Sequence, residues 1–169
     1  YSSGQSVVTV LVNPCDYIEE NMSPGAAEIW ADGTAGGSSI YSEIFAYEMA
    51  SQCEDAVLLK TETEIAYLDP GGKKTDLLLD IDQLKIGVSV TRAFHWPPEE
   101  PYTEAEAAEL LTDKLGDVPL AAANVEVNDA WQRSILHVVA YDGQYADEIE
   151  AAYATLDPSV TQDIVLIVT

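Results

Sequence analysis

Positive charge is scarce in this chain. Its 169 residues carry 7 lysines and arginines against 30 aspartates and glutamates, a formal net charge of -23. Such a surface repels phosphate backbones and anionic headgroups, so nucleic-acid binding at physiological salt and a membrane-surface role are both unexpected. The densest basic cluster, Lys73-Lys74, is too short to reverse that field. Long apolar runs are missing as well, and none approaches the ~18 residues of a membrane span. The only cysteines, Cys15 and Cys53, lack metal-ligand spacing; one disulfide in an oxidising compartment and two thiols both remain open. The chain opens on Tyr1-Ser2-Ser3-Gly4 without an initiator methionine, the start expected of a mature product or a fragment. Asn21-Met22-Ser23, followed by Pro24, matches a glycosylation acceptor.

The acids themselves admit several roles. An acidic shell solvates a secreted or salt-adapted protein, and it can also mimic nucleic acid or capture a cation, a basic partner or another protein. Apolar residues make up 47% of the chain and recur throughout it, so one folded domain over residues 1–169 is expected rather than disorder.

Residues 6–12 read as a strand that stops at Asn13-Pro14, and 13–37 read as irregular, ending in a glycine-rich loop without a phosphate-loop lysine. Ser38 or Ser39 caps a helix to about Gln52, with apolar residues nearly all round it. Residues 56–68 read as a long strand, 69–72 as a turn, and 75–81 and 84–93 as two further strands. A Pro-rich loop over 94–101 leads to a helix from Thr103, with Glu106 completing a capping box, to near Gly116. Strand 134–141, helix 145–156 and strand 162–168 complete the order β-α-β-β-β-α-β-α-β. That alternation implies an α/β fold, a mixed central β-sheet with helices on its faces.

The 75–93 segment fixes the register. With Asp82-Gln83 as a two-residue loop, Leu77 faces Val88, Leu79 faces Ile86 and Ile81 faces Leu84, one wholly apolar face. The other face sets Asp80 against Lys85, an expected ion pair, Leu78 against Gly87 and Asp76 against Ser89.

A glutamate-bearing helix, a long strand, a hairpin, a crossover helix and a strand together resemble the core of the PD-(D/E)XK nuclease-like fold, over roughly residues 38–141, with 1–37 as an N-terminal extension. The resemblance implies that Asp76, in Lys-Thr-Asp, is the first core acid and Glu43 the helix glutamate. It also implies a divalent metal, Mg2+ or Mn2+, that activates water. The acidic-X-Lys triplet falls on Ser89-Val90-Thr91, where serine replaces the acid and threonine the lysine, so the signature is degenerate. Gln83-Leu84-Lys85 is an alternative triplet, placed in the turn. The strings Lys-Thr-Asp, Gly-Val-Ser-Val-Thr-Arg-Ala and Ser-Ile-Leu-His-Val also resemble an uncharacterised family of hypothetical proteins.

Three classes of function follow, one of them a secreted or salt-adapted accessory domain whose acidic shell is simply its solvent interface. A degenerate domain would serve as a binding or interaction module. A working metal-dependent phosphodiesterase would use Glu43, Asp76 and one of Glu62 or Glu64 as metal ligands, with Ser89, Thr91 and Arg92 in support. Glu62 and Glu64 alternate onto one face if the 56–68 strand is continuous; an exposed edge explains them as well. Glu43 could instead reach solvent or pair with Lys60. His137 reads as a hydrogen-bonded core histidine, His95 as a loop residue at a sheet end, and Arg92 as an anion anchor or a partner for nearby acids. No nucleophilic triad has a local signature.

Overall fold

The hairpin forms in the expected register. Leu77 pairs with Val88, Leu78 with Gly87, Leu79 with Ile86, Asp80 with Lys85 and Ile81 with Leu84. Asp82 and Gln83 both take positive φ, 52° and 67°. That left-handed pair has the twist of a two-residue hairpin turn, although neither residue is glycine or asparagine. Asp80 supports the turn by accepting a hydrogen bond from the Gln83 amide at 3.0 Å. Lys85 donates to the Asn128 carbonyl at 2.7 Å, so the expected Asp80–Lys85 ion pair gives way to turn capping and loop anchoring.

The structure, a computed structural model, describes residues 22–34, 39–97 and 100–169 together with the backbone of 6–9. In chain order these form β1 (Ser6–Thr9), α1 (Pro24–Asp32), α2 (Ile40–Glu54), β2 (Val57–Thr61), β3 (Leu77–Ile81) and β4 (Leu84–Ala93). There follow α3 (Glu104–Asn124), β5 (Arg133–Ala140), α4 (Gly143–Thr155), α5 (Pro158–Thr161) and β6 (Ile164–Val168). One six-stranded sheet runs in the order β1-β6-β5-β4-β3-β2. Strand β3 is antiparallel to β2 and β4, while β4, β5, β6 and β1 are mutually parallel. The fold is α/β with a mixed sheet, as the element order implies.

Both faces are covered. Leu77, Leu79, Ile86 and Val88 pack with Ala26 and Ile29 of α1 and Ile44 and Tyr47 of α2. Leu111, Leu115 and Val118 of α3 join Ile149 and Tyr153 of α4 over Leu136, Val138, Leu166 and Val168. Burial of such side chains contributes about 1.5–3 kcal/mol each.

The elements depart from the sequence reading in four places. Residues 24–32, expected to be irregular, form α1, because the Ser23 hydroxyl caps the Ala26 amide and Pro24 suits a first helical position. The long strand expected over 56–68 ends at Thr61. There the Glu64 carboxylate accepts from the Thr61 amide, and the Glu64 and Ile65 amides donate to the Thr61 carbonyl, winding the chain into a turn. Helix α3 continues through Gly116 and Pro119 to Asn124 because Leu115, Val118 and Ala121 extend its buried stripe. A short helix, α5, precedes β6 on an Asp157 cap. Cys53 is exposed and free, whereas Cys15 and Asn21 lie outside the described residues.

Gly87 carries a packing constraint. A Cβ built there would lie inside the Trp131 indole, which occupies the space left by the missing side chain. Gly87→Ala is expected to destabilise the chain by about 1–3 kcal/mol through overpacking. Urea denaturation checks this, and an unchanged midpoint would show that Trp131 moves aside freely.

Candidate metal centre

Register carries Glu62 and Asp76 to each other. Strand β2 runs antiparallel to β3 with Thr61 opposite Leu77. One step beyond that pair lie Glu62, as β2 turns away, and Asp76, as β3 begins. The first turn of α2 brings Glu43 over the same end. Ligand oxygens of Glu43, Glu62 and Asp76 all lie within 4.8 Å of one another. Two oxygens on opposite sides of one divalent cation stand about 4–5 Å apart, twice a bond of about 2.0–2.6 Å. The trio therefore has the spread of a ligand set and can hold a hard cation.

Glu43 and Asp76 are each braced from their own side. Glu43 is buried, and its Oε1 accepts from the Ser39 hydroxyl at 2.7 Å. Asp76 continues the hairpin ladder, donating its amide to the Val88 carbonyl at 3.1 Å. Its Oδ2 accepts from the Val90 amide at 2.6 Å. Tyr67 clamps the preceding residue, since its hydroxyl accepts from the Thr75 amide at 2.9 Å and donates to the Thr75 carbonyl at 3.1 Å. Below Glu62, the Thr61 hydroxyl donates to Asp32 Oδ2 at 2.8 Å.

The carboxylates are held at an electrostatic disadvantage. Burial pushes the Asp76 carboxyl up to about 7; the Val90 amide opposes that, Glu43 and Glu62 add to it, and Lys114 opposes it. Glu43 is raised too, chiefly by burial, with Ser39 opposing and Glu62 adding. Asp76 therefore holds a proton over a pH range in which an exposed aspartate is ionised. A divalent cation would reverse this by favouring the ionised forms.

The other sequence candidates lie at varying distance from this trio. Glu64 is exposed and spent on the β2 turn, so Glu62 and Glu64 do not share a strand face. The Ser89 and Thr75 hydroxyls hydrogen-bond each other at 3.2 Å, one residue before Asp76 in the chain. Thr91 and Arg92 line a different feature, an open cleft of about 590 Å³ at the carboxyl ends of β4 and β5, with Phe94, Val139 and Tyr141. The alternative triplet Gln83-Leu84-Lys85 lies in and beside the hairpin turn, at the end of β3 opposite Asp76. Lys60 binds Asp129 at 2.7 Å rather than Glu43. His137 is a core histidine that hydrogen-bonds Thr169 at 3.0 Å, and burial lowers its pKa to about 4. His95 bonds the capping-box residue Glu106. Sequence reasoning missed Tyr67 and the Val90 amide, neither of which carries a motif.

The raised Asp76 pKa has a signed consequence. Its folded-state value of about 7 lies above the 3.8 of an exposed aspartate, so the native state binds more protons than the unfolded state between those limits. Native stability of the metal-free protein should therefore fall as pH rises from about 4 to about 7, then level off where Asp76 is concerned. Asp76→Asn should flatten that part of the profile. Denaturation midpoints in EDTA across this range test it, and a wild-type profile identical to Asp76→Asn would refute the assignment.

No family model matches the chain. It is 37% identical over 147 residues, 83% of its length, to the AAC-rich mRNA clone AAC4 protein of Dictyostelium discoideum. It spans only 21% of that relative. Among solved structures, Pyrococcus furiosus SfsA in complex with Ca2+ is similar over 77% of this chain and 54% of its own, at 14% identity and a TM-score of 0.33.

Proposed function

We propose that this chain is a nuclease-like domain of PD-(D/E)XK type that binds a divalent cation, Mg2+ or Mn2+, between Glu43, Glu62 and Asp76 and acts on a phosphodiester. The observation that carries the reading is the convergence of three carboxylates within 4.8 Å on a β2–β3–β4 meander. The order of α2, β2, the β3–β4 hairpin, the α3 crossover and β5 is that expected of such a core, over residues 38–141 of one domain. Chemically, the cation would polarise a phosphoryl oxygen and lower the pKa of a bound water. The chain's own residues hold that cation and orient it. Glu43 is braced by Ser39 and Asp76 by the Val90 amide, so the ligand oxygens need little reorganisation.

A second reading rests on Ser89. A hydroxyl tied to Thr75 replaces the second core acid, and Thr91 replaces the lysine, which favours a binding or interaction module without turnover. Its partner would be a protein or another basic molecule, in a secreted or high-salt setting where the acidic shell is solvated.

Calorimetry with Mn2+ and Mg2+ is expected to show one site that Asp76→Ala abolishes. Hydrolysis of bis(p-nitrophenyl) phosphate separates the two readings. Turnover lost in Asp76→Ala supports the phosphodiesterase, whereas metal binding without turnover supports the binding module. No metal heat in the wild type would sink the metal centre.

The net charge of -23 gives a separate expectation. Duplex DNA should show no binding at about 150 mM salt, because too few cations are present to displace counterions. Sub-micromolar binding by fluorescence polarisation would contradict it.

A further inference from the structure

Beyond the cover of α2, the sheet ends in exposed aromatic rings. On the α2 face of β4, Ile86, Val88 and Val90 pack with Ile44 and Tyr47, and Ile135 of β5 joins them. Side chains alternate along a strand, so Arg92 and Val139 follow on that face, with Phe94 and Tyr141 just past the strand ends. Two ring contacts agree with this placement. Phe45 of α2 meets His137 edge-on at 6.4 Å between centroids, and the Phe94 and Tyr141 rings meet at 5.6 Å. Val90 pairs with His137 and Arg92 with Val139, so the open cleft of about 590 Å³ begins one side-chain step past the histidine that Phe45 meets.

Burial is the usual fate of an aromatic ring, yet Phe94 is 50% exposed, Tyr141 65% and Trp96 75%. The three form one patch, since the Phe94 and Trp96 rings stack at 6.5 Å between centroids. A contiguous exposed patch of this kind marks a binding surface. It is also held from behind. The Tyr141 ring lies 6.0 Å from that of buried Tyr145, which stacks on buried Tyr102 at 4.7 Å. Between Phe94 and Trp96, His95 bonds Glu106, the capping-box residue of α3, and lies 3.4 Å from Glu100. The rings are therefore presented by a braced segment and need little ordering to accept a ligand.

The cleft adjoins the carboxylate centre. The Val90 amide holds Asp76, and at about 3.3 Å per residue Arg92 lies roughly 7 Å and Phe94 roughly 13 Å further along β4. Glu43 reaches the centre from α2, the helix packed on the face that carries the cleft. We infer that the cleft is a subsite for a nucleobase, carried by a small phosphate ester whose phosphoryl group meets the cation on Glu43, Glu62 and Asp76. The inference rests on the metal-centre reading above. Exposed ring faces accept a flat base by stacking, without base-specific hydrogen bonds. Arg92, exposed at the cleft, adds a guanidinium that favours an anionic ligand over a cationic one. A single nucleotide fits a cleft of this volume, while a long polyanion would still meet the repulsive acidic surface.

The test uses the full chain, Mn2+ and two ligands that differ in whether a base is attached, adenosine 5′-monophosphate and ribose 5-phosphate. Calorimetry on the Mn2+-loaded wild type should show the nucleotide binding roughly tenfold or more tightly than the sugar phosphate. Phe94→Ala and Tyr141→Ala each remove an exposed ring, and each should weaken the nucleotide roughly tenfold. Both should leave ribose 5-phosphate and Mn2+ affinity unchanged, which a general loss of folding would not. Phe94→Tyr keeps a ring and should bind the nucleotide as the wild type does. Equal wild-type affinity for the two ligands overturns the inference, as does unaltered nucleotide binding in either alanine variant. Wild-type protein that binds Mn2+ but not the nucleotide overturns it too. Absence of Mn2+ binding in the wild type overturns the metal centre and the subsite together, a pattern distinct from the others.

Discussion

Everything at the carboxylate centre depends on the register of one hairpin. The alternation from Leu77 to Val88 allows one burial solution, because a shift of one residue would turn Leu77, Leu79, Ile86 and Val88 away from α2 and expose them. Once that face is committed, Asp76 must stand at the open end of β3, beside the Val90 amide that its carboxylate accepts from. The two-residue turn at Asp82-Gln83 keeps the register from slipping. The β2 pairing then transmits it outward to Glu62. Apolar burial thus decides where the acids sit, at a stabilisation far larger than the acids themselves could supply.

Cations meet the consequence of that placement. Three carboxylates brought together in a partly buried cluster repel one another, and burial removes the water that would screen them. The raised Asp76 carboxyl is the relief available to the metal-free protein: it takes up a proton. A divalent ion offers a second form of relief. Lys114 opposes that uptake, but it is the least of the influences on Asp76.

The sheet was legible in the sequence to the extent that alternation dictated it. The 84–93 strand was legible at both ends, and the hairpin pairing followed from summing residue numbers across its turn. Glu43 and Asp76 were legible as candidates, but the choice between Glu62 and Glu64 was not. It is made by a side-chain-to-backbone bond, Glu64 to the Thr61 amide, that ends β2 and swings Glu62 toward Asp76. Such local bonds compete with strand pairing and leave little trace in periodicity. Helix α1 was missed because its cap and proline sit in a stretch that otherwise reads as turn residues. Gly116 and Pro119 argued for an end to α3, yet the buried stripe carries the helix through both.

The acid excess and the carboxylate centre are separate features with different ranges. At physiological salt the Debye length is about 8 Å, so most of the 30 acids are screened from the trio. Asp76 responds first to its own burial, then to the Val90 amide, Glu43 and Glu62, and the distant shell does not set its protonation. That shell acts instead on what approaches. It discourages long polyanions and leaves small ligands and cations free to enter.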